Sequence, residues 1–317
     1  MGFISEIFGY LLNWLYQIFN NYGIAIIIFS IILKIILIPI TIKQQKSLKK
    51  SAELQKEMTE IQKKYKNNPE KLNQETIELY KREKMSPFSG CLSSILQIII
   101  ILSVFWLVSQ PLTYMTRTNP ELIEKYTKEM QESGYNSNNS YVQIAVIDYA
   151  ETKYQELTAQ LEQENIENRE ELEAKRDEYN QLRLNMDFLG LDLSKVPTQS
   201  LNDWKVYIIP ALYVITSAIS IKITTNMQNK KNKKEIVVAK EGEGEEPDPM
   251  EQMQQMNKSM MYMMPIMSVM IAAIAPLGLA LYWLISNILM IIERLIINKV
   301  MDVIEKKKDN KEETVNE

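Results

Sequence analysis

The feature that most constrains this chain is a run of twenty-one residues, 22–42, that carries a single charge, Lys34. Residues 91–116 carry none, and 206–221 and 259–292 are similarly apolar. A helix needs roughly 20 such residues to cross about 30 Å of hydrocarbon. Strongly charged stretches separate the runs, at 43–84, 121–187, 222–258 and 299–317. The 24% charged content and the formal charge of −4 therefore average over segments that face different solvents. The pattern predicts an all-α polytopic membrane protein with five transmembrane helices.

Residues 1–21 read as an interfacial amphipathic helix, with Phe3, Phe8, Tyr10, Trp14, Tyr16 and Phe19 set among Ser5, Glu6, Asn13 and Gln17. The alternative is one more span. Asn20, Asn21 and Gly23 break this segment from the first span, 22–42. The next segment, 43–90, holds twelve basic against seven acidic residues, which places it in the cytoplasm. Leu54, Met58, Ile61 and Tyr65 recur at helical spacing and Asn67-Asn68-Pro69 turns the chain, so a helical hairpin is expected there. The second span covers 91–112. An extended external helical insertion and loop follow at 113–203, with nine basic and eighteen acidic residues, and 141–185 reads as a long helix or helical hairpin.

The third span is 204–224, with Trp204 and Tyr207 placed as interface anchors. A cytoplasmic loop follows at 225–258 and includes the linker-like GEGEEPDP. The fourth and fifth spans, 259–276 and 278–297, form a tight hairpin hinged at Pro276-Leu277-Gly278. A charged cytoplasmic tail, 298–317, completes the chain, and five spans then leave the N-terminus outside.

Several chemistries lose their usual side chains. The chain has one cysteine, Cys91, and no histidine, so neither a disulfide within the chain nor a Cys-based metal site is expected. No phosphate-cradling glycine loop or nucleophile elbow occurs among the nine glycines. No cofactor, metal or catalytic residue is expected, and the chain reads as a protein that moves or holds something rather than an enzyme.

Lys34 is the leading candidate for a functional residue. An ammonium near the middle of a span costs about 2.5 to 3.5 kcal/mol on the insertion scale. Fourteen Ile, Leu and Phe residues in 24–42 offset this by about 4 to 8 kcal/mol, so the helix inserts despite the charge. One reading has Lys34 snorkelling or paired with a carboxylate. Its central depth disfavours snorkelling, and Glu293, the only acid in another span, stands near that span's cytoplasmic end. The other reading has Lys34 facing a water-filled cavity that attracts polar or acidic cargo. Ser30, Gln97, Thr216, Ser286 and Asn287 are candidates for the same lining, each weighed against an ordinary hydrogen bond between helices. Eight methionines fall between Met253 and Met270, which suits a surface receiving varied apolar partners or simple helix packing. The basic 43–84 segment is either a hairpin resting on anionic lipid or one packed on itself.

Three stretches together resemble the YidC family of membrane-protein insertases: YGIAIIIFSIILKIILIPITIKQQKS at 22–47, KYKNNPEKLNQETIELYKREKMSPFSGCLSSILQ at 64–97 and MQQMNKSMMYMMPIMSVMIAAIAPLGLALYWLISN at 253–287. A weaker echo, FLGLDLSKVP followed by WKVYIIPAL, spans 188–212. The resemblance implies a five-span core with a hydrophilic groove open to the cytoplasm and lipid. A basic residue of the first span, here Lys34 where the family most often has arginine, would attract the acidic tail of a substrate, with Gln97 and Trp283 at groove-lining positions. Nascent membrane proteins are the implied partners, with the ribosome, the Sec translocon and anionic lipids beside them, no recognition of nucleic-acid sequence, and the bacterial plasma membrane as location. Two readings from other classes compete: a solute or ion transporter using Lys34 as counter-ion, which the lack of an internal repeat among the spans weakens, and a non-catalytic scaffold.

Overall fold

The computed structural model describes residues 2–66, 68–83, 89–135, 141–163, 168–235, 263 and 270–313. In chain order the helices are α1 (Gly2–Phe19), α2 (Tyr22–Lys64), α3 (Pro69–Arg82), α4 (Ser89–Ser109), α5 (Pro111–Tyr114), α6 (Pro120–Glu132), α7 (Val142–Leu161), α8 (Arg169–Asn180), α9 (Ile208–Glu235) and α10 (Leu277–Glu313). A two-residue-deep antiparallel ribbon, β1 (Asp187–Phe188) and β2 (Leu191–Asp192), is the one sheet among the described residues. Among the described residues, three helical stretches are long and apolar enough to cross a membrane: Tyr22–Ser47, Trp204–Ile223 and Leu277–Ile297. They coincide with the first, third and fifth expected spans. The fold is that of an all-α membrane protein.

Other expected boundaries shift for local reasons. The first span does not end at 42, because α2 continues through the charged segment to Lys64 with Pro39 inside it. The second span was expected to reach 112, but α4 stops at Ser109; Pro111 has no N–H to give and begins the one-turn α5 instead. Helices α9 and α10 likewise run on into the charged segments expected as loop and tail. Most of the fourth span, and residues 236–258 of the loop before it, lie outside the described residues.

The chain divides into two compact units. The first comprises Met1–Ile32, Ile99–Thr216 and Met267–Asn287. Here α1 buries Ser5, Gly9, Leu12 and Leu15 and leaves Phe3, Ile7, Tyr10, Trp14 and Ile18 exposed on the opposite face. Gly9 allows a very close approach: a Cβ there would sit 1.9 Å from the carbonyl oxygen of Tyr114. The Ser5 hydroxyl donates to the Ser103 carbonyl at 3.0 Å, tying α1 to α4. The break before α2 falls at Asn20, whose φ of 46° ends α1. Asn21 then accepts from the Ile24 N–H at 3.1 Å. Gly23 is no breaker. It lies inside α2, where the Phe188 ring would be 2.6 Å from an added Cβ.

Among the described residues, the insertion in this unit holds the three helices α6, α7 and α8. Asn119 accepts from the Glu121 N–H at 2.9 Å and Pro120 takes the first position of α6, an Asn-Pro start. Tyr126, Tyr149 and Tyr179 stack between α6, α7 and α8, with Tyr126 and Tyr179 centroids 4.5 Å apart. The chain then forms a strap, Asn185–Val196, that bonds to the start of α2 and to the start of α10. Tyr22 N–H donates to the Asn185 carbonyl at 3.0 Å, and Leu193 and Lys195 carbonyls accept from Gly278 and Leu277, each at 2.9 Å. The strap therefore caps the N-terminal turn of α10, whose first N–H groups have no partner inside the helix.

The second unit comprises Leu33–Ile98, Ser217–Ile266 and Ile288–Glu317. Asn68 accepts from the Lys71 N–H at 3.1 Å and Pro69 opens α3, while Lys81 and Arg82 sit favourably at its C-terminal end. Leu54 of α2 and Leu79 of α3 are both buried. Arg82 pairs with Glu57, and the Tyr65 hydroxyl reaches Glu75 at 3.2 Å, so α2 and α3 are joined by charge and by apolar burial.

Candidate functional site

Lys34 is not a solitary charge. Its Nζ lies 2.8 Å from Oε2 of Glu293 on α10, within the second unit. The side chains are 26% and 11% exposed. Counting depth along the sequence made Glu293 too remote a partner, and the pairing corrects that. At 1.5 Å per residue, Lys34 stands about 18 Å along α2 from Tyr22, and Glu293 about 24 Å along α10 from Leu277. If both helices start on the same side, two long flexible side chains bridge the difference. The Glu293 Oε1 atom is buried without a hydrogen bond among the described residues.

The other predicted site residues divide between the units. In the first, Asn287 donates through Nδ2 to Thr216 Oγ1 at 3.1 Å, so the structure brings these two together. Thr216 in turn donates to the Tyr213 carbonyl at 3.0 Å, and Asn287 is buried. The hydroxyl of Ser30, one turn before Lys34, is buried and donates to the Ile26 carbonyl of its own helix at 2.7 Å. Trp283 is half-buried, and Gln97, in the second unit, is exposed. Thr216 and Asn287 thus follow the ordinary interhelical reading, and Ser30 is held within its own turn.

A second polar centre, not foreseen from sequence, lies in the insertion. Asp148 of α7 accepts from Lys195 Nζ at 2.9 and 3.0 Å, from the Ser194 hydroxyl at 3.2 Å and from Tyr135. Burial alone pulls the Lys195 ammonium down, but its hydrogen bond and charge pairing with Asp148 offset this and hold it above its ordinary value. Burial, and then Asp148, raise Tyr135. These residues, with Gln199 and Pro276, border a cavity of about 240 Å³. The signal in sequence was only the LSKVP stretch, whose partner stands 47 positions away from Lys195.

Glu129 and Glu178 make a further network around the tyrosines. Burial raises Glu129, but hydrogen bonds from Tyr179 and Tyr149 and the Lys175 charge bring it below the usual carboxylate range. Glu178 is lowered by hydrogen bonds from Lys125 and Tyr126.

Comparison with known proteins bears on what these sites serve. The family described as 60Kd inner membrane protein matches residues 14–307. A membrane protein insertase YidC of Caldanaerobacter subterraneus subsp. tengcongensis is 41% identical over 120 residues, which is 38% of this chain and 54% of that protein. One from Fusobacterium nucleatum subsp. nucleatum is 41% identical over 102 residues, 32% of this chain and 50% of the relative. A third, from Syntrophobacter fumaroxidans, is 40% identical over 103 residues, 32% of this chain and 19% of the relative. The chain matches about half or less of the length of these relatives. The family pattern nevertheless runs through every stretch that carried the sequence resemblance, and the chain belongs to the 60Kd inner membrane protein, or YidC, family.

Proposed function

We propose that this chain is a membrane-protein insertase and chaperone, which moves substrate transmembrane segments from the cytoplasm into the bilayer along a hydrophilic groove containing Lys34. The single observation that carries the reading is the placement of Lys34 midway along the most apolar candidate span of a chain that belongs to this family, nine residues before the next lysine, Lys43. A charge at such depth is retained where it meets a polar partner or cargo. The proposed groove lining is Lys34, Gln97 and Trp283; Ser30, Thr216 and Asn287, the other candidates for it, spend their polar groups on helix hydrogen bonds.

The proposed arrangement has five spans in the bacterial plasma membrane. Residues 1–21 lie at the interface, 43–90, 225–258 and the C-terminus are cytoplasmic, and 113–203 is external. The exposed apolar face of α1 supports its interfacial placement, since a helix with one docked face and one aromatic face suits the headgroup boundary. The basic excess of 43–90 supports its side. Nascent membrane proteins are the substrates in this reading, with the ribosome, the Sec translocon and anionic lipid as partners. Burial of the substrate's apolar segment in lipid, aided by the membrane potential, drives the movement.

The reading is tested by photo-crosslinking. With a photoreactive residue at position 97 or 283, a stalled nascent single-span protein gives adducts at both positions and none at Leu189, which is 87% exposed in the turn between β1 and β2. Adducts at neither position above that background refute the groove, and a solute-transport defect with normal insertion would favour a transporter.

A further inference from the structure

The Lys34–Glu293 pair carries an inference that rests on the insertase reading and sharpens its substrate preference. We propose that Glu293 is a specificity-determining residue: a tethered internal carboxylate that competes with acidic residues of the substrate for the Lys34 ammonium.

Three observations lead there. The ammonium has three N–H donors, and among the described residues it makes one carboxylate contact, the 2.8 Å bond to Oε2. An incoming carboxylate can therefore share Nζ before Glu293 leaves it. The second is the poor satisfaction of Glu293. An ionised carboxylate offers about four acceptor positions, yet Oε1 is buried without a hydrogen bond among the described residues. A carboxylate held by one donor is a replaceable partner, because little else anchors it in place. The third is exposure: the Lys34 side chain is 26% exposed against 11% for Glu293, so the ammonium is the more approachable member.

The chemistry of the exchange is simple. No bond other than hydrogen bonds changes, and the ammonium keeps its charge while one carboxylate replaces another. A tethered competitor acts at an effective concentration in the millimolar range. A tail with one acid must overcome that competitor alone, whereas several acids supply repeated chances at the same ammonium. Glu293 thereby sets a threshold of acidity for the tails that Lys34 engages, and it neutralises the half-buried ammonium between substrates.

The experiment uses the full chain in proteoliposomes and single-span substrates whose external tails carry no, one or three aspartates. Glu293→Gln is expected to raise insertion of the one-aspartate substrate roughly threefold or more, as loss of a tethered competitor implies. The three-aspartate substrate gains less and the neutral tail is unchanged. Glu293→Asp keeps the carboxylate and retains the original ranking of tails. Equal change for all three tails, or a loss confined to acidic tails, overturns the proposal. Glu293→Met serves if the Gln variant does not fold, with the same expected order. The underlying reading is judged separately: in the Glu293→Gln background, a Lys34→Gln change that does not reduce insertion of acidic tails relative to the neutral tail defeats the lure itself. A tail preference that depends on Lys34 but ignores Glu293 defeats only the competition.

Discussion

Gly9→Ala is the substitution whose outcome the structure constrains most tightly. The added Cβ would fall 1.9 Å from the Tyr114 carbonyl oxygen and 2.7 Å from its carbon, both backbone atoms that no rotamer change can remove. Restoring ordinary contact needs a separation of about 1.5 Å between α1 and α5, and forced overpacking of this kind costs about 1–3 kcal/mol. Alanine's higher helix propensity returns about 0.5–1 kcal/mol, but it does so whether or not α1 is docked, so it does not relieve the clash. Leu12, fully buried under α1, reports undocking directly. With Cys91 replaced by serine, a cysteine at position 12 should react with a maleimide roughly 5 to 150 times faster in the Gly9→Ala protein, since about 1.4 kcal/mol is a tenfold population change. Gly2→Ala is the control, with nothing within 4 Å of its added Cβ. Equal labelling of the Gly9→Ala and unsubstituted proteins would refute the docking of α1 described above.

Two further outcomes follow from the first unit. Gly23→Ala drives a Cβ to 2.6 Å from the Phe188 ring, so it should lower thermal stability by about 1–3 kcal/mol, and Phe188→Ala in the same chain should recover part of that loss in a double-mutant cycle. The insertion should loosen in acid: Glu129 and Glu178 are held below a glutamate's ordinary value of about 4.5 in the folded state, so their contribution is present above that pH and lost as pH falls through their folded values. Limited proteolysis within 113–203 should accelerate below pH 4.5, and Glu129→Gln should flatten that dependence; cleavage independent of pH would count against the network.

How far the fold was readable depends on which interactions are local. The apolar runs around Lys34, Thr216 and Trp283 located three helices long and apolar enough to cross a membrane, because bilayer thickness sets a length that sequence shows directly. The Asn68-Pro69 start of α3 was legible because its cap is local, lying within three residues. Where the sequence changes from apolar to charged at 42, nothing stops a helix, and α2 continues because Lys, Gln and Glu are good helix formers. The strap was hidden because its partners are distant backbone groups: Leu193 and Lys195 serve the start of α10 through carbonyls that every residue possesses. Leu189 and Gly190, with φ of 54° and 76°, turn the ribbon, and only the glycine advertised that turn. For the candidate site, Lys34 was evident from its energetic oddity. Glu293 was visible as a residue but not as a partner, since the relative start of two separate helices sets their meeting.

The pairing also changes how the role of Lys34 must be measured, because Lys34→Ala alone leaves Glu293 a buried, unpartnered carboxylate and confounds loss of cargo attraction with loss of fold. The direct measurement is insertion in proteoliposomes, with Glu293→Gln as the parent and Lys34→Arg and Lys34→Gln built upon it. The account predicts that the Arg variant keeps most insertion of a single-span substrate with an acidic external tail, while the Gln variant loses it and still inserts a neutral-tailed substrate. Equal insertion of the acidic-tailed substrate by the Gln variant and its parent would contradict the role given to this charge.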